Sequence, residues 1–115
     1  MTYVERHFRR ALRVATQGTD RRQYRLGAVG IRRDGTIVEA SNLPARNPEP
    51  RAHAEQRLVR KLDKGSIVFV VRVYRNGELA LARPCKRCQT AMRLRGVRSC
   101  YYSISDTEYG VLLFE

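Results

Sequence analysis

The stretch that most constrains this chain is "SIVFVVRVY", residues 66 to 74. It is dense in β-branched and aromatic side chains, which favour a pleated strand. It does not alternate between apolar and polar, so no face of that strand suits water. A strand of this kind belongs in the middle of a sheet with a layer packed on each side. The rest of the 115-residue chain has to supply its neighbours and both covering layers. A chain of that length can build one core, and the expectation is a single domain over residues 1–115.

The covering layers are legible as periodic helices. Over residues 3 to 17, Val4, Phe8, Ala11, Leu12 and Ala15 fall on one side at the 3.6-residue period. Arg6, Arg9, Arg10 and Arg13 fall on the other, and His7 lies near that basic face. A second helix is expected from about 52 to 63, with Ala54, Leu58, Val59 and Leu62 inward and Gly65 as its stop. A third should run from 85 to 96 and end at Gly96. Between them, Asp34-Gly35 marks a hairpin joining strands at about 26–32 and 36–41. "NLPARNPEPRA" reads as an irregular loop, and Asn76-Gly77 as a turn. Strands follow at "VRSCYYSI" and "YGVLLF", joined by "SDTE". That joint is too short for a crossover helix, so these last two strands should be antiparallel. The order α-β-β-α-β-α-β-β implies a three-layer α/β/α sandwich on a five-stranded mixed sheet.

Charge restricts the partners. Lys and Arg number 23 against 11 Asp and Glu, a net charge of +12, and only Lys61, Lys64 and Lys86 are lysines. Arginine grips phosphate through two parallel bonds, so an anionic partner is favoured over a solvated basic face. No apolar run reaches membrane-spanning length, and "MTYVERHFRR" lacks the apolar stretch of a signal peptide. The expectation is a cytoplasmic protein with no membrane partner. The cysteines, Cys85, Cys88 and Cys100, are odd in number, which argues against a closed disulfide framework.

Reactive residues gather in two places. "PCKRC" sets Cys85 and Cys88 at the start of a helix, where the helix dipole favours thiolates and the preceding Pro84 is well tolerated. "HAE" sets His53 and Glu55 at the start of the preceding helix. Cys and His together suit zinc. Three ligands, His53, Cys85 and Cys88, leave an open position and describe a catalytic ion; a fourth would describe a structural one. Cys100 falls in a strand and reads as a small core residue. A redox pair is the other reading of the two cysteines, but no thioredoxin-like context surrounds them. Glu55 can take a proton from a zinc-activated water and return it to a leaving group; alone it would be an ordinary acid at a helix start.

These two motifs together resemble the zinc-dependent cytidine and deoxycytidylate deaminase superfamily, whose pattern is H-x-E followed by P-C-x-x-C. The resemblance runs over nearly the whole chain and implies a cytidine deaminase-like fold and one Zn²⁺ per chain. It implies His53, Cys85 and Cys88 as metal ligands and Glu55 as the proton shuttle. Water is then added at the amino-bearing ring carbon and ammonia leaves. It further implies substrate contacts at Asn42, which closes the second strand, and at the Ala54 backbone. It implies a homo-oligomer, because relatives often complete the pocket with a neighbouring subunit.

The chain departs from some branches of that superfamily. Free-nucleoside cytidine deaminases usually carry cysteine where His53 stands, and an asparagine–glutamate pair where this chain has "SNLPAR". Deoxycytidylate, tRNA-adenosine and polynucleotide-editing relatives usually place a helix where "SDTE" stands, whereas bacterial toxin deaminases acting on DNA commonly share the hairpin. The leading expectation is hydrolytic deamination of cytosine in a nucleoside or nucleotide. The alternative substrate is cytosine in single-stranded DNA or RNA, which the charge favours because phosphate contacts dominate such affinity. A zinc-stabilised nucleic-acid-binding module without catalysis is the third reading; Glu55 argues against it, since a structural site has no use for a proton shuttle.

Overall fold

A computed structural model describes residues 1–17, 24–41 and 54–114. Helix α1 spans Tyr3–Gln17, strands β1 and β2 span Tyr24–Ile31 and Ile37–Ser41, and helix α2 spans Ala54–Val59. Strand β3 is Ile67–Tyr74, β4 is Leu79–Ala80, α3 is Lys86–Arg95, and β5 and β6 are Ser99–Ser103 and Tyr109–Leu113. The expected five strands stand in the order β2-β1-β3-β5-β6, and the two-residue β4, not anticipated, pairs with β3 as a sixth. β3 is central, with Val68, Phe69, Val70 and Val71 all fully buried.

The sheet is mixed. β1 pairs antiparallel with β2 and β3, β3 pairs parallel with β5, and β5 pairs antiparallel with β6. The short turn between the last two strands therefore has the consequence expected of it. The pleat divides the core in two. Val29, Val71 and Val73 pack with Ala11, Val14 and Ala15 of α1 on one face. Ala28, Val68, Val70 and Cys100 pack with Ala54, Leu58 and Met92 on the other. Two helices on one face and one on the opposite face complete the three layers.

α1 lies so close to β1 that only glycine fits beneath it. A Cβ at Gly27 would stand 2.2 Å from the Ala11 carbonyl oxygen and 2.5 Å from the Ala15 amide nitrogen. His7, expected near the basic face, instead turns inward and is 6% exposed. Its ring lies 5.1 Å from Phe69 and 4.5 Å from Tyr3, in an aromatic cluster that also holds Phe8 and Tyr101. The imidazole is large and flat enough to fill a place among rings, and packing outweighs its polarity there.

α2 is shorter than its apolar period suggests. After Val59 the chain tightens into bonds three residues apart, Lys61 N–H to Leu58 and Leu62 N–H to Val59. The Ser66 hydroxyl then donates to the Asp63 carboxylate at 2.7 Å and turns the chain into β3. A helix of six residues cannot stand alone. Burial of Leu58 holds it, contributing about 1.5–3 kcal/mol.

Candidate active site

Strands β2, β3 and β5 run in the same direction, so their carboxyl ends share one edge of the sheet. α2 follows β2 and α3 follows the β3–β4 segment, and both helices travel back toward the opposite edge. They finish together there, where the Gly65 N–H donates to the Gly96 carbonyl at 2.8 Å. Their amino ends therefore meet at the carboxyl edge, the usual position of a site in an open α/β sheet. The lead into α3 is fixed by Ser103, whose hydroxyl donates to the Ala80 carbonyl at 2.7 Å and whose own carbonyl accepts from the Ala82 N–H at 2.8 Å.

α3 opens as its sequence indicates. Cys85 occupies the N-cap position, and Gln89 holds the entry by donating its side-chain amide to the Pro84 carbonyl at 2.8 Å. The far end is a left-handed Gly96, whose N–H and that of Val97 close onto Arg93 and Met92. One turn of helix brings the Cys85 and Cys88 sulfurs to 3.5 Å. Cys85 is exposed and Cys88 is buried.

Glu55 comes in from α2 and is 5% exposed. Its carboxylate accepts from the Cys88 thiol, which is pushed up strongly, first by burial and then by the Glu55 charge. The Gln56 side-chain amide donates to the same sulfur at 3.8 Å. Gln56 was not singled out from sequence; its position next to Glu55 at the start of a helix was the available signal. Cys100 is fully buried in the adjacent core, as expected of a small core residue, and its thiol too is pushed up by burial and by Glu55. Ala54 is fully buried at the first position of α2. Among the predicted site residues, then, Ala54, Glu55, Cys85 and Cys88 converge. His53 and Asn42 lie outside the described residues.

The sulfur pair fits zinc. Two thiolates on one tetrahedral ion, at about 2.3 Å each, stand roughly 3.8 Å apart, close to the 3.5 Å found here. Among the described residues no group of three His, Cys, Asp or Glu side chains is arranged to hold an ion by itself. Arg83, Lys86 and Arg87, next to Cys85 along the chain, are all exposed, with the Arg83 guanidinium 6.0 Å from the Tyr102 ring.

Comparisons with known proteins give a family and a fold. Residues 1–104 match the family model described as the cytidine and deoxycytidylate deaminase zinc-binding region. The fold is similar to that of a cytidine deaminase from Burkholderia pseudomallei, with a TM-score of 0.70 at 17% identity over 98% of this chain and 93% of that one. It is also similar to a cytidine deaminase from Mycobacterium leprae, with a TM-score of 0.67 at 18% identity over 98% of this chain and 94% of that one. No curated protein matches in sequence.

Proposed function

The chain belongs to the cytidine and deoxycytidylate deaminase family, and from that premise we propose that residues 1–115 form a single zinc-dependent domain that hydrolytically deaminates cytosine in a nucleoside or nucleotide. The observation that carries this reading is the buried Glu55 carboxylate held against Cys88, with the Cys85 sulfur 3.5 Å from the Cys88 sulfur. A carboxylate brought to a paired-cysteine centre and closed off from solvent is placed for proton transfer, not for solubility.

His53, Cys85 and Cys88 would hold one Zn²⁺, which supplies Lewis acidity and brings water near neutral acidity. The chain's own residues do the rest. Cys85 and Cys88 would give up their protons only on binding the metal. Gln56 orients the Cys88 sulfur from the side facing α2. Glu55 takes a proton from the attacking water and delivers it to the departing nitrogen. A carbon–oxygen bond forms at the amino-bearing ring carbon, the carbon–nitrogen bond breaks, and the products are a uracil base and ammonia. Ala54 and Asn42 are assigned to substrate contact. The reading includes a cytoplasmic setting; among the described residues no helix is long and apolar enough to cross a membrane.

One observation favours a second reading, cytosine within single-stranded DNA or RNA. Arg83, Lys86 and Arg87 stand exposed beside Cys85 on a chain of net charge +12. Cations flanking the mouth can track a phosphate backbone. The deciding experiment is a mass-shift and ammonia-release panel on zinc-loaded protein. Its substrates are cytidine, deoxycytidine, their monophosphates and single-stranded oligonucleotides. Turnover of any cytosine substrate supports the family chemistry, and the preferred substrate separates the two readings. No turnover of any of them rules out both.

A further inference from the structure

The surplus of positive charge is not spread evenly over this molecule. Residues 54–66 and 81–98, which form α2, α3 and the segments beside them, hold ten of the 23 Lys and Arg but only two of the 11 Asp and Glu. Those two acids are turned away from the cations. Glu55 is buried, and the Asp63 carboxylate accepts from the Ser66 hydroxyl at 2.7 Å and from the Arg33 N–H at 3.2 Å. The α1 face is mixed by comparison. There Arg10 pairs with Glu39 at 3.8 Å, and Glu5, Asp106 and Glu108 line the same cleft as Arg9.

The two helices form one surface. The Gly65 N–H donates to the Gly96 carbonyl at 2.8 Å, and the Arg95 guanidinium donates to the Leu62 carbonyl at 2.8 Å and to the Arg60 carbonyl at 3.3 Å. α2 and α3 are thereby tied into a single layer. Arg60 and Lys64 are exposed on the α2 side of it, and Lys86, Arg87 and Arg93 on the α3 side. A surface kept soluble by charge alone usually mixes the two signs; this one repels itself until an anion covers it.

We propose that the outer face of the α2–α3 layer binds double-stranded nucleic acid through its phosphates. A duplex offers one negative charge per about 1.7 Å of its axis, a density that suits closely set cations. A single strand would need rings on which to stack its bases, and neither α2 nor α3 carries an aromatic residue. The Tyr102 and Phe114 rings lie under the Arg83 and Arg93 guanidiniums, at 6.0 Å and 5.7 Å. A lipid surface would need a broad apolar face, whereas Leu94 is the one large apolar side chain that these two helices expose among the described residues. The contact is therefore with the backbone and carries no base sequence. It does not depend on whether the site at the head of the two helices deaminates cytosine.

The test is fluorescence anisotropy with a labelled DNA duplex of about 20 base pairs, titrated at several KCl concentrations, with its separated strand and phosphatidylserine vesicles run beside it. With about five phosphates neutralised, log affinity should fall against log salt with a slope of about −4 to −5, so that binding weakens roughly 10²- to 10³-fold between about 50 and 200 mM. Arg60→Gln with Arg93→Gln should flatten the slope by about two. Arg9→Gln with Arg13→Gln, at exposed positions on α1, should leave it unchanged. A footprint on the unaltered chain needs no variant. Duplex at about ten times its Kd should slow acetylation of Lys64 and Lys86 by about tenfold and leave the Met1 amine as reactive as before. A flat salt dependence, equal loss from both pairs of substitutions, or a footprint that spares Lys64 and Lys86 overturns the proposal. So does tighter binding of the single strand or the vesicles than of the duplex.

Discussion

The Cys85 sulfur, open to solvent, stands 3.5 Å from the Cys88 sulfur, which is buried and shared with the carboxylate of Glu55. This asymmetry gives the two thiols different chemistry in metal-free protein. Burial and the Glu55 charge keep Cys88 protonated, so it should resist alkylation, as should the fully buried Cys100. Cys85 should be modified first, by peptide mapping after timed iodoacetamide. Zinc loading should protect it. Elemental analysis should find one zinc per chain, lost in Cys88→Ala. Equal labelling of all three thiols, with or without zinc, would contradict the assignment.

Removal of the carboxylate should separate chemistry from fold. Glu55→Gln is expected to keep zinc content and the circular dichroism spectrum while turnover falls by roughly 10²- to 10⁴-fold, the usual contribution of a general acid/base group. Because the carboxylate also raises Cys88, its neutralisation should make the metal-free Cys88 thiol easier to ionise. An unchanged rate would take Glu55 out of the mechanism.

His7 should make the fold sensitive to mild acid. Its pKa lies below the ordinary histidine value, chiefly through burial and then through Arg10 and Arg6. The unfolded chain takes up a proton near pH 6.5, while the folded chain does so only at lower pH. The unfolded state thus binds more protons in that window, and stability falls as pH drops from about 7 toward the folded value. His7→Phe, which can keep the stacking with Phe69, should flatten the decline. Urea midpoints at pH 7 and pH 5 for both proteins measure it; parallel declines would exclude His7 as the source.

Gly27→Ala tests how α1 is seated. The added methyl would meet backbone atoms of Ala11 and Ala15, which cannot rotate aside, so α1 must lift. Overpacking of this kind costs about 1–3 kcal/mol. Equilibrium denaturation reads the loss directly, and no change in midpoint would show that the helix can shift freely.

Much of this molecule could be read before it was seen. The double-faced β3 demanded a central position, and Cys85 and Cys88 needed only helical spacing to be brought together. Local periodicity and turn chemistry are properties of short segments, so they survive the absence of coordinates. What was missed depended on contacts between distant segments. His7 looked like a surface residue until Phe69 and Tyr101 supplied the rings around it. Gln56 had only its place beside Glu55 to mark it until α3 set a sulfur beside its amide. α2 was overextended because after Val59 the chain tightens into bonds three residues apart, which the apolar period does not encode. β4 was too short to register.

The parallel pairing of β3 with β5 also decides where the polypeptide can be divided. Glu55 precedes β3, the paired cysteines follow it, and the exposed Asn76–Gly77 turn lies between the two groups. Gly77 takes a positive φ of 91° with open space around it. A cut there leaves the Glu55 carboxylate on one fragment and both sulfurs on the other. Neither fragment holds a working centre, and β5 in the second can find its place only against β3 in the first. The chain is therefore suited to complementation, with each half inert until sheet assembly brings the two together.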